Sequence, residues 1–284
     1  MGESQPQKTN NLEDLIKRVR VVLVLLPIGF IANYLGGWVF SLFVALIIGV
    51  AAYEYALLFR AGGLRPALAL AVGASVAMVI GQSLYGFELT LLILTLSVLT
   101  SLVHHLFDYE HGRDQAATDF AITISAMIYI GWLGSFFVSL RNLPEGFWWV
   151  MTVLPAVWLA DMAGYIFGKR FGRHKMTVRL SPNKSWEGYL AGILLAAPGT
   201  ALLVMLWQAL GAGKGIAPWE GALLGALLAS LTIFGDLGES MIKRQVGAKD
   251  SGQLLPGHGG VFDRIDSWLW GGAIGYYLIT MFFQ

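Results

Sequence analysis

Ser240-Met-Ile-Lys-Arg-Gln-Val-Gly-Ala-Lys-Asp-Ser-Gly-Gln-Leu-Leu-Pro-Gly-His-Gly-Gly-Val-Phe-Asp-Arg-Ile-Asp266 is a dense polar stretch between two apolar runs, at about 217–237 and 266–283. Four basic residues, three acids, one His and a Gly-Gly pair fall within its 27 residues. The flanking runs decide the fold, because each is close to the ~20 apolar residues that a helix needs to cross a bilayer core. A polar segment between two such runs reads as a loop where a membrane protein meets water. Carboxylates and cations gathered there point to a metal and a polyphosphate. The bland alternative is a solvated loop with ordinary helix caps.

The same reading extends outward. Hydrophobic residues fill 56% of the 284 positions and charged residues 13%, about half of the ~25% usual in soluble domains. Too little polar surface remains to cover a soluble globule. The expectation is an all-α polytopic membrane protein with about nine transmembrane helices. They lie near 20–35, 37–59, 64–84, 87–106, 117–140, 146–168, 188–210, 217–237 and 266–283. Helices are favoured because an open strand leaves backbone donors unsatisfied in lipid, and no alternating ten-residue pattern suggests a barrel. The 35 glycines suit close helix packing. The absence of Cys excludes disulfides and thiolate metal sites. A net charge of +1 gives no reason to expect a nucleic-acid partner.

Charge placement sets the orientation. With the N-terminus inside, every Lys and Arg except Arg141 and Lys214 falls on an inner segment, as the positive-inside rule requires. Residues 1–18 read as a cytoplasmic tail without a cleavable leader, with residues 1–10 disordered. Asn11 is placed to cap a short amphipathic helix of Leu12, Leu15 and Ile16. Residues 19–284 read as a single transmembrane catalytic domain. Its two enlarged inner loops, about 169–187 and 238–265, put the working surface on the cytoplasmic side. Trp38, Trp148, Trp149, Trp219 and Trp268 sit near span ends, where an aromatic belt places them.

Asp236 ends the eighth span. Ser240 and Lys243 follow at i+4 and i+7 and share its helical face. Asp263 and Asp266 are three apart at the start of the ninth span, where a helix N-terminus favours negative charge. Hard oxygen ligands of this kind suit Mg²⁺. The Pro256-Gly-His-Gly-Gly run is not helical throughout, and its glycines let backbone amides approach a phosphate. Asp161 lies well inside the sixth span, a functional candidate or a salt-bridge partner of a neighbouring helix. Glu54 in the second span pairs with Arg60 or hydrogen-bonds within the bundle. The adjacent His104 and His105 do not share a helical face and are not taken as a metal site. The first inner loop is basic, with a Ser181-Pro182 turn and Glu187 opening the next span.

At these residues the chain resembles the phosphatidate cytidylyltransferase family, also called CDP-diacylglycerol synthases. The matching signature is Ser240, Ile242, Lys243-Arg244, Lys249-Asp250, Gly252, Leu255-Pro256, His258-Gly259-Gly260 and Asp263-Arg264-Ile265-Asp266. It shows no departure from the family pattern. Ser181-Pro-Asn-Lys-Ser-Trp-Glu-Gly188 resembles a second family motif, with Asn183 where the family often has Lys and Ser185 where it often has Thr. The resemblance implies transfer of CMP from CTP to phosphatidic acid, giving CDP-diacylglycerol and pyrophosphate. It also implies a Mg²⁺ requirement (one cation or two), a polytopic fold in the bilayer and a homodimer. Compactness without appended domains resembles bacterial members and an inner-membrane location.

Under that reading Asp236 and Asp263 are metal ligands, and Asp266 is a third ligand or a support behind them. Lys243, Arg244 and Lys249, with Asp250 beside them, serve the triphosphate or the lipid phosphate. His258, Gly259 and Gly260 line the phosphate pocket, and Arg264 pairs with an acid or a phosphate. Ser181, Asn183, Lys184, Ser185 and Glu187 are candidates for CTP contacts, with Asp161 and Lys169 beside them. Competing readings are CMP transfer to another lipid phosphate such as an archaeol-type lipid, a membrane transporter, and a lipid-binding scaffold without turnover. Against a transporter, the polar residues collect at one rim and form no path across the bilayer.

Overall fold

The computed structural model describes residues 11–212, 216–254 and 259–283. The expected tail at 1–10 and His258 lie outside the described residues. The chain is a helical membrane protein, and among the described residues six helical segments are long and apolar enough to cross a bilayer. In chain order the helices are α1 (Asn11–Leu35), α2 (Gly37–Ala61), α3 (Leu68–Glu110), α4 (Ala116–Ala126), α5 (Leu133–Asn142), α6 (Gly146–Phe171), α7 (Trp186–Ala209), α8 (Pro218–Gln245) and α9 (Phe262–Phe282). A π-helical turn, Met127–Trp132, joins α4 to α5 without a break. Gly86, at φ 65° and ψ −147°, breaks α3 where two separate apolar runs were expected.

The fold is helical with little strand. Between α6 and α7 lies a short antiparallel hairpin, β1 (Lys175–Thr177) and β2 (Ser181–Ser185), with Lys175 opposite Ser185 and Thr177 opposite Ser181. The turn is therefore at 178–180, and Ser181-Pro182 opens a strand. The connection expected at 238–265 is shorter than that. α8 runs on to Gln245, so Ser240, Lys243 and Arg244 ride on a helix and only residues 246–261 connect it to α9.

α2 is central. Its Phe40, Val44, Ile48, Ala51, Ala52 and Tyr55 are buried against α4, α5, the π turn and the start of α9. Most of α3 faces outward, as a lipid-facing helix should. Small residues bring the site-bearing helices together. Gly164 and Gly168 on α6 meet Gly188 at the start of α7, and Gly192 meets Ala160; a Cβ on Gly188 would stand 2.6 Å from the Gly164 carbonyl oxygen. This spacing of glycines allows backbone-to-backbone contact without side chains between. On α8, Gly235 does the same for α9, since a Cβ there would lie 2.5 Å from the Asp266 carbonyl oxygen. The acids next to these glycines are thereby drawn to one place.

Away from that place, a fully buried Asp119 ties the α2–α3 and α3–α4 connections together. It accepts hydrogen bonds from the Arg65 amide at 2.7 Å and from Arg113 Nε at 2.7 Å. The Asp119 carboxylate holds the Arg113 guanidinium above its ordinary range. Trp38 and Trp219 are exposed, as belt residues should be, but Trp149 is 6% exposed and belongs to the core. Its expected anchoring role is corrected: Trp149 lies on the inward face of α6 beside Val150 and Val153.

Candidate active site

One face of α8 presents Asp236, Glu239, Ser240 and Lys243, the i, i+3, i+4 and i+7 positions that a helix stacks together. The first turn of α9 presents Asp263 and Asp266 from the opposite side. Carboxylate oxygens of Asp236, Glu239 and Asp266 all lie within 4.8 Å of one another. Ser240 Oγ donates to Asp236 Oδ1 at 3.4 Å. Two lysines flank the acids. Lys184 Nζ, on β2, is 2.5 Å from Asp236 Oδ2. Lys243 Nζ stands between Glu239 Oε2 at 2.7 Å and Asp263 Oδ1 at 2.8 Å.

Asp263 is the most heavily hydrogen-bonded of these acids. Its Oδ2 accepts the Gly260 amide at 2.7 Å, the Ser251 amide at 2.9 Å and the Ser251 hydroxyl at 3.0 Å. Its lone pairs are thus committed to the loop and to Lys243. Glu239 takes the place beside Asp236 and Asp266 that the sequence reading gave to Asp263. Glu239 Oε1 is buried and has no hydrogen-bond partner among the described residues. Asp161 of α6 lies within electrostatic reach of Asp236, Asp266 and Lys184. Among the described residues, the cations paired with this group of acids are Lys184, on Asp236, and Lys243, on Glu239 and Asp263. At an effective dielectric constant near 20, two carboxylates 4.8 Å apart repel by about 3–4 kcal/mol. Such an excess of negative charge at the end of apolar helices calls for a cation.

The hairpin brings Lys184 to Asp236 and is held shut by its own residues. Ser185 caps α7, accepting the Gly188 amide at 3.2 Å. Glu187 accepts the Arg173 and His174 amides, each at 3.1 Å, and pairs with His174 Nδ1 at 2.6 Å. These contacts give Ser185 and Glu187 a visible part in shaping the hairpin. Ser181 is half-buried, and Asn183 is exposed. Lys169 is exposed over the Tyr165 ring, 5.8 Å from its centroid. Arg244 donates to the Ala248 carbonyl at 3.2 Å. Lys249, Asp250 and Arg264 are exposed. Gly259 has φ 85°, a backbone region that favours glycine, and a Cβ there would stand 2.7 Å from Asp263 Oδ2.

Two residues of the site escaped the sequence reading. Glu239 was legible, since it sits at i+3 from Asp236 and i−4 from Lys243. Ser251 was not, because its contacts are made across the fold. Of the two alternatives for Glu54 the structure takes the hydrogen bond within the bundle; Arg60 donates to the Pro66 carbonyl. Glu54 accepts the Phe262 amide, at 2.9 Å. A second grouping, His104, His105 and Asp108, also brings donor atoms within 4.8 Å. There His105 is already engaged, Nδ1 with the Ser101 carbonyl at 2.8 Å and Nε2 near the Thr123 hydroxyl at 3.4 Å.

Comparison with known proteins bears on this geometry. A model of the "Cytidylyltransferase family" matches residues 16–282. A phosphatidate cytidylyltransferase of Synechocystis sp. is 33% identical over 295 residues, covering 93% of this chain and 96% of that protein. One from Mycobacterium leprae is 33% identical over 249 residues, covering 82% of this chain and 77% of its own. One from Brucella suis is 41% identical over 139 residues, about half of each chain at 49%.

Proposed function

The chain belongs to the cytidylyltransferase family, and from that premise we propose that it transfers CMP from CTP to phosphatidic acid, releasing pyrophosphate and forming CDP-diacylglycerol. The observation behind the chemistry is the convergence of Asp236, Glu239 and Asp266 within 4.8 Å between Lys184 and Lys243.

These residues fit a divalent cation. All three donors are hard carboxylate oxygens, the chain has no thiol, and Glu239 Oε1 is buried without a partner among the described residues. Mg²⁺ is the cation that such a set with phosphate oxygens favours. Asp236, Glu239 and Asp266 would hold it, with Asp263 directly behind them. When bound, the cation supplies charge neutralisation to the phosphates.

In the reaction a phosphate oxygen of phosphatidic acid attacks the α-phosphorus of CTP. One P–O bond forms, the α–β bridge breaks, and pyrophosphate leaves with the electron pair. A phosphomonoester has its second pKa near 6 and is largely dianionic at neutral pH. It needs no general base, and the described residues of the site offer no nucleophile–base–acid set. The barrier is repulsion between two anions, so the chain's work is positioning and neutralisation. Lys184 and Lys243 are placed to accept phosphate in exchange for their carboxylate partners. Arg244, Lys249 and Arg264, exposed at the same rim, gather the polyphosphate. Ser240 orients Asp236, and the Gly259-Gly260 backbone shapes the pocket beside Asp263.

In this reading α3 divides at Gly86 into two passages and the bundle crosses the membrane nine times. The N-terminus and the site face the cytoplasm, as the basic residues favour, and the membrane is a bacterial inner membrane. A homodimer belongs to the reading on family resemblance alone. The test is pyrophosphate release by the detergent-purified chain given CTP, phosphatidic acid and Mg²⁺. Release should require all three and stop with EDTA. Release without phosphatidic acid, or none with all three, contradicts the proposal.

A further inference from the structure

The N-terminus of α9 has no cap of its own. Val261 precedes the helix and makes no side-chain capping bond, so the first amides need acceptors from elsewhere. Asp263 reaches back to the Gly260 amide. The Phe262 amide goes to Glu54 on α2, 208 residues earlier in the chain. Glu54 is 5% exposed and sits among apolar neighbours of the core. Burying an acid there costs several kcal/mol, so its retention needs a reason. The connecting loop is built around it. A Cβ on Gly252 would stand 2.7 Å from Glu54 Oε1, and one on Gly260 would stand 2.5 Å from Oε2. The Ser251 hydroxyl lies 3.4 Å from Glu54 Oε2 and donates to Asp263 Oδ2 at 3.0 Å.

We propose that Glu54 is a positioning residue for the reaction: by capping α9 from α2 it fixes Ser251, Gly252 and Gly260 and sets Asp263 and Asp266 against Asp236 and Glu239. Among the described residues Glu54 makes no hydrogen bond to Lys184, Lys243, Arg244, Lys249 or Arg264, and it works through the helix that it caps. Glycine at 252 and 260 thereby acquires a role independent of phosphate approach, since any side chain there displaces the Glu54 carboxylate. The link to catalysis rests on the proposed function; the capping role stands on the contacts alone.

The test compares full-length wild type, Glu54→Gln, Glu54→Asp and Glu54→Ala in detergent. Three quantities are measured: Mn²⁺ affinity by electron paramagnetic resonance, amide exchange over 259–270, and CDP-diacylglycerol formation. Gln keeps an acceptor at the same reach and should stay within a few-fold of wild type in all three. Ala should weaken Mn²⁺ binding and turnover by about 10- to 100-fold, the range for residues that support metal ligands. Its 259–270 segment should exchange faster, while the rest of the bundle keeps its protection. Asp, too short to reach the Phe262 amide, should behave as Ala does, and it decides the matter if Ala fails to fold. Wild-type exchange and Mn²⁺ affinity in folded Ala or Asp variants overturn the proposal. So does a Gln variant as impaired as Ala, because the charge and not the cap would then matter. If wild type neither binds Mn²⁺ nor forms product, the proposed function falls, while the exchange comparison still decides the cap.

Discussion

Lys243→Met tests whether one ammonium holds the acidic site together. Lys243 is 13% exposed and touches two acids, Glu239 at 2% and Asp263 at 4% exposure. At the observed contacts of 2.7 and 2.8 Å, each attraction is about 6 kcal/mol for an effective dielectric constant near 20. Most of that offsets the desolvation of three charges. The net effect appears when the cation is removed and two buried acids face each other, which costs about 3–5 kcal/mol. In a chain of this length 1 kcal/mol shifts Tm by about 2–4 °C. The Met variant, close to Lys in length and shape, should therefore melt roughly 10 °C below wild type in detergent with EDTA. Adding Glu239→Gln should return part of the loss, because the second charge is then gone. The two single variants and the double variant form a cycle whose coupling should be about 1 kcal/mol or more. An unchanged Tm for Lys243→Met, or strict additivity in the cycle, would refute the reasoning.

Other outcomes follow from the same contacts. Asp266→Asn should lower CDP-diacylglycerol formation by at least about 100-fold, taking the upper range for metal-site support as a floor, yet leave Tm in EDTA equal or higher, because a repulsion is relieved; retained turnover with Mg²⁺ removes Asp266 from the ligand set. Lys184→Ala should raise the KM for CTP roughly tenfold, the effect of one contact of about 1.4 kcal/mol; unchanged kinetics would leave Lys184 only as the partner of Asp236. Gly260→Ala should destabilise the protein by about 1–3 kcal/mol through overpacking against Glu54, whereas Gly73→Ala, whose Cβ meets nothing within 4 Å, should be close to neutral in a melting assay.

What the sequence revealed, and what it hid, follows the range of each interaction. The helical bundle was legible because apolar length and the cost of open backbone in lipid are local properties. The break at Gly86 was visible as a gap between apolar runs, and the face shared by Asp236, Ser240 and Lys243 follows from helical periodicity alone. Glu239 falls on the same face by the same rule, and its neighbours were read without it. The grouping of Glu239 instead of Asp263 with Asp236 and Asp266 was hidden. It depends on the Gly260 and Ser251 amides turning toward Asp263, which loop geometry decides. The hairpin at 175–185 was hidden too, since strands of three and five residues leave no periodic signal and Ser181-Pro182 mimics a turn. Glu54 was the least legible, because its partner lies on the last helix and no spacing rule connects them.

The central claim is that acids from the facing ends of α8 and α9 hold a divalent cation on which the two phosphates converge. The most direct measurement is an anomalous-difference map of the protein with Mn²⁺ and CTP. The expected result is a peak bonded to carboxylate oxygens of Asp236, Glu239 and Asp266, with CTP phosphate oxygens completing the shell. A peak elsewhere, with these three acids making no metal bond, would contradict it.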